Sequence, residues 1–133
     1  MGPWPKLSTV SQSPAETVVR RYADELYGRR NLAIIPELVS DPTIRHEPSG
    51  ETLTYTLADS LARAEHLQAE FASMRFDEVA FISNDTDVCW VFDAVLVRAD
   101  GSEVTMCGVE VFRVRNGKIV EVWNPKPAPG AWG

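Results

Sequence analysis

The chain has 133 residues, 44% of them hydrophobic, and a formal net charge of −6 at pH 7. That length supports one domain with a real core. The acidic balance speaks against nucleic acid, which needs a basic face, and no apolar run nears the ~18 residues of a membrane span.

Residues 1–12 are rich in Pro and Ser and read as a loose arm. Met1 to Leu7 lack a charged-then-apolar signal pattern, and two cysteines read as free thiols, Cys89 and Cys107, suit a cytoplasmic location. Ser13-Pro14-Ala15-Glu16 is a helix start, with a capping serine and Pro at the first helical position. Behind it Val18, Tyr22 and Leu26 form one apolar stripe, flanked by Val19, Ala23 and Tyr27, and Gly28 ends the helix. A short second helix is expected around Ile34 to Val39, with Pro36 in its first turn. Thr43 to Glu47 reads as a strand closed by Pro48-Ser49-Gly50. Thr56-Leu57-Ala58-Asp59 is a second capping signal. After it Leu57, Leu61, Ala64, Leu67, Phe71 and Met74 recur at helical spacing, which predicts a long amphipathic helix. Arg63, Glu65, His66 and Glu70 fall mostly off its apolar face.

From Arg75 the period changes to two. Four strands are predicted, roughly over 75–83, 88–98, 103–115 and 118–124. Asn84-Asp85-Thr86-Asp87, Asp100-Gly101 and Asn116-Gly117 provide the turns. Helices followed by an antiparallel meander give an α+β class, with helices layered on one curved sheet.

Two of these strands carry acids inside apolar runs: Asp93 within Val88–Arg98 and Glu110 within Glu103–Arg115. A buried polar group without a partner costs roughly 2–7 kcal/mol. A plain structural sheet has no need of that cost, so these strands read as the wall of a polar-lined pocket. A two-residue turn at Asp100-Gly101 would put Asp93 opposite Gly108 and make Asp93 and Glu110 diagonal neighbours on one face. Gly108, without a side chain, would leave room in front of the sheet. A three-residue turn at Arg115-Asn116-Gly117 would pair Val114 with Lys118. Val120, Val122 and Asn124 then share the face of Phe112 and Glu110. The outcome is an apolar surface of Val91, Val95, Met106, Phe112 and Val122 around three polar groups. Cys89 and Cys107 lack metal-ligand spacing. In this register they face opposite sides, which forbids a disulfide between them.

Several segments resemble the nuclear-transport-factor-2-like superfamily, in its SnoaL-like polyketide cyclase and ketosteroid isomerase branch. They are Tyr22 within Val-Val-Arg-Arg-Tyr-Ala, Arg45-His46-Glu47-Pro48-Ser49-Gly50, and the ending Phe112 to Asn124. The resemblance covers roughly residues 13–127 and leaves a tail over 128–133. It implies a cone: a strongly curved antiparallel sheet wrapped around a long helix, enclosing a deep pocket, often in a homodimer. Ketosteroid isomerase combines a carboxylate base with a tyrosine and a protonated acid as oxyanion donors. By resemblance, Tyr22 matches the tyrosine and Glu110 the protonated acid. The base position falls on His46 or Glu47: strand alternation, with Ile44 as the apolar member, selects His46, and the Pro-x-Gly turn selects Glu47.

Polyketide cyclases of this branch often carry an aspartate where this chain has Asn124. Limonene-type epoxide hydrolases use two aspartates with an arginine between them. Here those positions hold Asp93, Asn124 and Val91, so their mechanism does not carry over. The expectation is a cofactor-independent acid/base enzyme, of isomerase or cyclase type, on an apolar carbonyl-bearing small molecule. His46, Glu47, Asp93, Glu110 and Tyr22 would be catalytic. Asn124, Phe112, Val122, Met106 and Phe71 would touch substrate. The alternatives are a silent hydrophobic-ligand or dimeric scaffold domain, and a dehydratase or epoxide hydrolase of the same superfamily. No metal or cofactor is called for. Val109, Val111 and Trp123 on the outer sheet face suggest a homodimer.

Overall fold

Ser13 caps the first helix: its side chain accepts from the Glu16 amide at 3.0 Å, and Pro14 occupies the first turn, where no amide donor is needed. The computed structural model describes residues 13–133, so the arm expected over 1–12 lies outside the described residues. Helix α1 spans Pro14–Arg21 and widens into a π-helical segment over Tyr22–Gly28. There the Arg29 amide reaches back to the Asp24 carbonyl at 3.0 Å. The wider turn brings Tyr22, Leu26 and Tyr27 inward together. A 3₁₀ turn, Leu32–Ile34, leads into α2, Ile35–Leu38, with Pro36 in the first turn.

Thr56 opens helix α3, Leu57–Glu70, with a full capping box to Asp59. The helix is shorter than its apolar repeat suggests. Phe71 and Met74 keep helical spacing, yet they begin strand β3, Phe71–Ser83, where both side chains still turn inward. Strand pairing with β4, Asp87–Arg98, overrides the helical period from Phe71 onward.

The remaining strands are β1 (Val39–His46), β2 (Thr52–Tyr55), β5 (Glu103–Arg115), β6 (Lys118–Trp123) and β7 (Ala128–Pro129). Their order is β2-β1-β6-β5-β4-β3, with β7 added alongside β5. The β3–β6 meander is antiparallel as expected, but β1 runs parallel to β6, so the sheet is mixed. The tail is therefore part of the sheet: Ala128 pairs with Cys107, and Trp132 donates from its amide to Asp93 Oδ1 at 2.9 Å.

The two hairpin turns exchange the types predicted for them. Between β4 and β5 the chain forms a three-residue turn. Arg98 N–H donates to Ser102 O at 2.9 Å, and Gly101 takes φ +87 in the bulge position. Between β5 and β6 the turn has two residues, with Asn116 at φ 51 and Gly117 at φ 77, and Arg115 pairs with Lys118. The first change slips the β4–β5 register by one residue. Asp93 stands opposite Cys107, Gly108 opposite Phe92 and Glu110 opposite Trp90. A slip of one moves a whole strand's side chains to the other face. Trp90, Phe92, Ala94 and Leu96 face the helices, while Val91, Asp93 and Val95 face away. Cys89 and Cys107 accordingly share the outer face, as free thiols. The second change is absorbed by a bulge at Val120, opposite Arg113 and Val114, so Val122 pairs with Phe112 and stays inside.

Gly108 does not open space. A Cβ there would lie 2.6 Å from Phe92 Cζ, so the glycine admits the Phe92 ring against the strand. Phe92 in turn packs on Trp90 and Phe76, with centroids 4.7 and 5.3 Å away. The core lies between the inner sheet face and the helices. Val19, Ile35, Val88, Phe112 and Ile119 are among its most buried members.

Candidate functional site

A cavity of about 280 Å³ opens between α3 and the inner sheet face. Phe71, Leu96 and Met106 line the part nearest the β4–β5 turn, with Met74, Phe92 and Ala94 beside them. Four residues further along β5, Glu110 lines the same cavity, together with Arg63, Tyr27 and Asn124. A second space of about 20 Å³ lies behind this polar group, against Tyr22, Thr43, Arg45 and Arg63. The site thus has a long apolar body and a charged inner end.

Among the described residues three buried ones are polar: Thr43 (2% exposed), Arg45 (8%) and Glu110 (6%). Thr43 is satisfied locally, donating to the Ser40 carbonyl at 2.7 Å. Burial raises the Glu110 pKa, and the positive charges of Arg63 and Arg45 only partly oppose it. Glu110 therefore keeps its proton to higher pH than an ordinary glutamate and can donate a hydrogen bond. Tyr22 is held well above the usual phenol range, first by burial, then by Tyr27, against the pull of Arg63 and Arg45. It stays a neutral donor. For Arg63 burial works against the charge, but Tyr27, Tyr22 and Glu110 outweigh it and raise its pKa. Arg63 also hydrogen-bonds Tyr27. The Asn124 amide, turned to suit its neighbours, accepts from Arg45 Nη2 at 3.3 Å and donates to Pro125 O at 2.8 Å.

The predicted site residues separate into three places. Glu110, Asn124, Met106 and Phe71 line the large cavity. Tyr22, Phe112 and Val122 line the small space next to it. Tyr22 packs edge-on against Tyr27 at 5.6 Å and Phe112 at 5.9 Å. Asp93 and His46 lie on the outer face, contrary to expectation. Asp93 is there because of the one-residue slip, and it receives the Trp132 amide. His46 does share a face with Ile44, but that face looks outward. Its ring stacks on Trp123 at 4.8 Å, its Nε2 pairs with Glu121, and Arg113 bridges Glu121 to Asp87. Glu47 follows β1 in the turn, where its amide donates to Glu51 O at 2.9 Å. Neither candidate base lines the cavity; on β1 it is Arg45 that faces inward.

Sequence reasoning missed Arg45, Arg63 and Tyr27 as site residues. Arg45 was hidden because β1 puts its polar members, Thr43 and Arg45, inside and its apolar Ile44 outside. Arg63 was hidden by its charge, although it precedes Leu67 by four positions and so shares the cavity side of α3. Its signal was there: an arginine on the border of the apolar stripe.

Solved structures share this architecture at low identity, and the likeness is one of fold. A candidate polyketide cyclase from Acidithiobacillus ferrooxidans superposes with a TM-score of 0.73 at 17% identity, over 87% of this chain and 89% of that one. TerC, co-crystallised with polyporic acid, gives 0.68 at 17%, over 84% and 90%. An epoxide hydrolase of the limonene-epoxide-hydrolase-like type from Mycobacterium tuberculosis gives 0.70 at 12%, over 84% and 81%. No curated protein matches the chain. The model of the SnoaL-like domain matches residues 19–122, most of the chain, and with the cone architecture around a half-apolar cavity this protein belongs to the SnoaL-like family.

Proposed function

We propose that the protein is a cofactor-independent acid/base enzyme, of isomerase or cyclase type, acting on an apolar carbonyl compound held in the 280 Å³ cavity. The observation that carries this reading is Glu110: a carboxyl buried to 6% exposure, with a raised pKa, on the wall of a cavity otherwise largely apolar. Protonated Glu110 donates to the carbonyl oxygen of the substrate. As the electrons of a neighbouring enolate carbon form the new bond, the carbonyl oxygen takes the Glu110 proton and becomes a hydroxyl. In the isomerase form Glu110 instead starts as the carboxylate, takes a proton from one carbon and returns it to another carbon of the resulting dienolate. Arg63, charged throughout, stabilises the enolate oxygen, and such fixed charge acts strongly where water is excluded. Asn124 is positioned to hold a second oxygen. The co-crystallisation of TerC, a protein of the same fold, with polyporic acid is consistent with a small-molecule ligand.

Replacing Glu110 by Gln should cut turnover by about 10²–10⁴ with little loss of fold. Full activity of that variant on the true substrate would refute its role. In the cyclase form the rate should also fall as pH rises through the raised Glu110 pKa, since the protonated carboxyl does the work; in the isomerase form it should rise, since the carboxylate does. A second reading, a ligand-binding domain without catalysis, draws support from the outward placement of His46 and Asp93. A pH-independent binding constant without turnover on any carbonyl substrate would favour it. We also carry the homodimer as a proposal: Val91, Val95, Val109 and Val111 form a half-buried outer face that a second copy would cover. A solution mass of one 14.8 kDa chain would exclude it.

A further inference from the structure

Five of the outer arginines, Arg20, Arg21, Arg29, Arg75 and Arg113, each sit within 3.3 Å of a carboxylate, Arg30 donates to the Phe71 and Gln68 carbonyls, and Arg98 and Arg115 are exposed to water. The two inner ones differ. Arg45 meets the Asn124 amide oxygen and lies over the Tyr55 ring at 5.6 Å; Arg63 meets the Tyr27 hydroxyl. Their partners are neutral, and among the described residues Glu110 is the one carboxyl buried beside them. Two guanidinium groups face one acid, so the inner end of the cavity has an excess of positive charge even when Glu110 is ionised. Lys126 lines the same cavity, while Glu70 lines it from α3 and remains exposed to water. Holding a cation away from water without an anionic partner costs several kcal/mol. A ligand that brings its own negative charge offsets that cost.

We propose that the ligand of this site is an apolar acid: a hydrocarbon body for the Phe71, Leu96 and Met106 end, and an ionised oxygen that pairs with Arg63. This rests on the proposed function and names its substrate class. The ionised oxygen is either a carboxylate or an acidic enol such as that of a hydroxyquinone or a β-dicarbonyl. An enol of that kind enters as the enolate, and its carbon then attacks the carbonyl that Glu110 protonates. Nothing has to remove a carbon-bound proton first, which agrees with His46 lying on the far side of the sheet.

Binding at neutral pH tests this without turnover. The probes are naphthalene carboxylate, the neutral naphthalene carboxamide of the same shape, and hydroxynaphthoquinone, whose enol is ionised. A charge-assisted hydrogen bond is worth about 1.5–3 kcal/mol, so the wild-type protein should bind an ionised probe about tenfold or more tighter than the amide. The carboxylate and the enol arms tell the two sources apart by which is tighter. Arg63→Gln should abolish the preference, and Arg63→Lys should restore part of it. Equal or tighter binding of the amide, or no binding of any probe, overturns the proposal on the wild-type protein alone, whether or not a variant folds. The Glu110→Gln variant separates the two claims. If it turns over normally and the anion preference stands, the catalytic reading fails and this one survives. If wild-type protein shows no preference, this one fails whatever Glu110 does.

Discussion

Glu110 is where sequence and structure agree most closely, and the reason is local. An acid in the middle of an apolar strand is costly in any register that buries the strand, so its presence reports a site. The same logic failed for Asp93, because an acid on the outer face needs only a modest partner, here the Trp132 amide. Two predictions belong at this scale. Burial raises the Glu110 pKa in the folded protein, so folding favours the protonated form. That contribution is complete below the unfolded pKa and is lost as pH rises through the folded one. Glu110→Gln should therefore gain melting temperature over wild type on going from about pH 4 to about pH 8. A difference that stays constant across that range would show that the carboxyl is solvated. Asp93→Asn, by contrast, should change affinity for a cavity ligand by less than about twofold, because the side chain lies across the sheet from the cavity, and surface changes rarely exceed about 0.5 kcal/mol. A tenfold loss would place Asp93 back in the site.

Elements were read well wherever two independent signals coincided. Helix α3 begins where Thr56 and Asp59 cap each other, and Thr56→Ala should cost about 1 kcal/mol, measured by denaturant unfolding. Its end was misplaced because Phe71 and Met74 keep helical spacing; in the strand a register irregularity between Phe71 and Ser73 turns both inward, and only the β4 partner decides between helix and strand. The turns show the finer limit. Asp-Gly and Asn-Gly are both good two-residue turn pairs, yet one closes three residues and the other two. Asp100 explains part of the difference: its Oδ1 accepts the Ser102 amide at 2.8 Å, which favours the longer turn. Gly108 was read as open space and is a contact point. Gly108→Ala would force its methyl into the Phe92 ring, so a loss of roughly 1–3 kcal/mol is expected, visible as a lower melting temperature. An unchanged melting temperature would mean the ring can move aside freely.

The whole molecule is a mixed sheet wrapped over helices, open at one end into a cavity whose inner end is charged. On this scale the outer face is the unanswered surface. It carries the His46–Glu121–Arg113–Asp87 chain over Trp123, beside a valine patch that the C-terminal tail partly crosses. If a second copy covers it, Val109→Glu should convert the dimer to a monomer in sedimentation while leaving cavity binding intact; an unchanged mass would move the interface elsewhere. The sequence by itself determined the α+β class, the helix starts, the four meander strands and the presence of a buried acid. Caps, periods and burial costs are local and act on neighbours a few positions apart. Only the tertiary structure decided which face each strand presents. Facing depends on a single residue in each turn and on whether the far side of the sheet is also covered. With both faces partly apolar, Ile44 and Val91 could mark either one, so Arg45 came to light only once the sheet had curved around it.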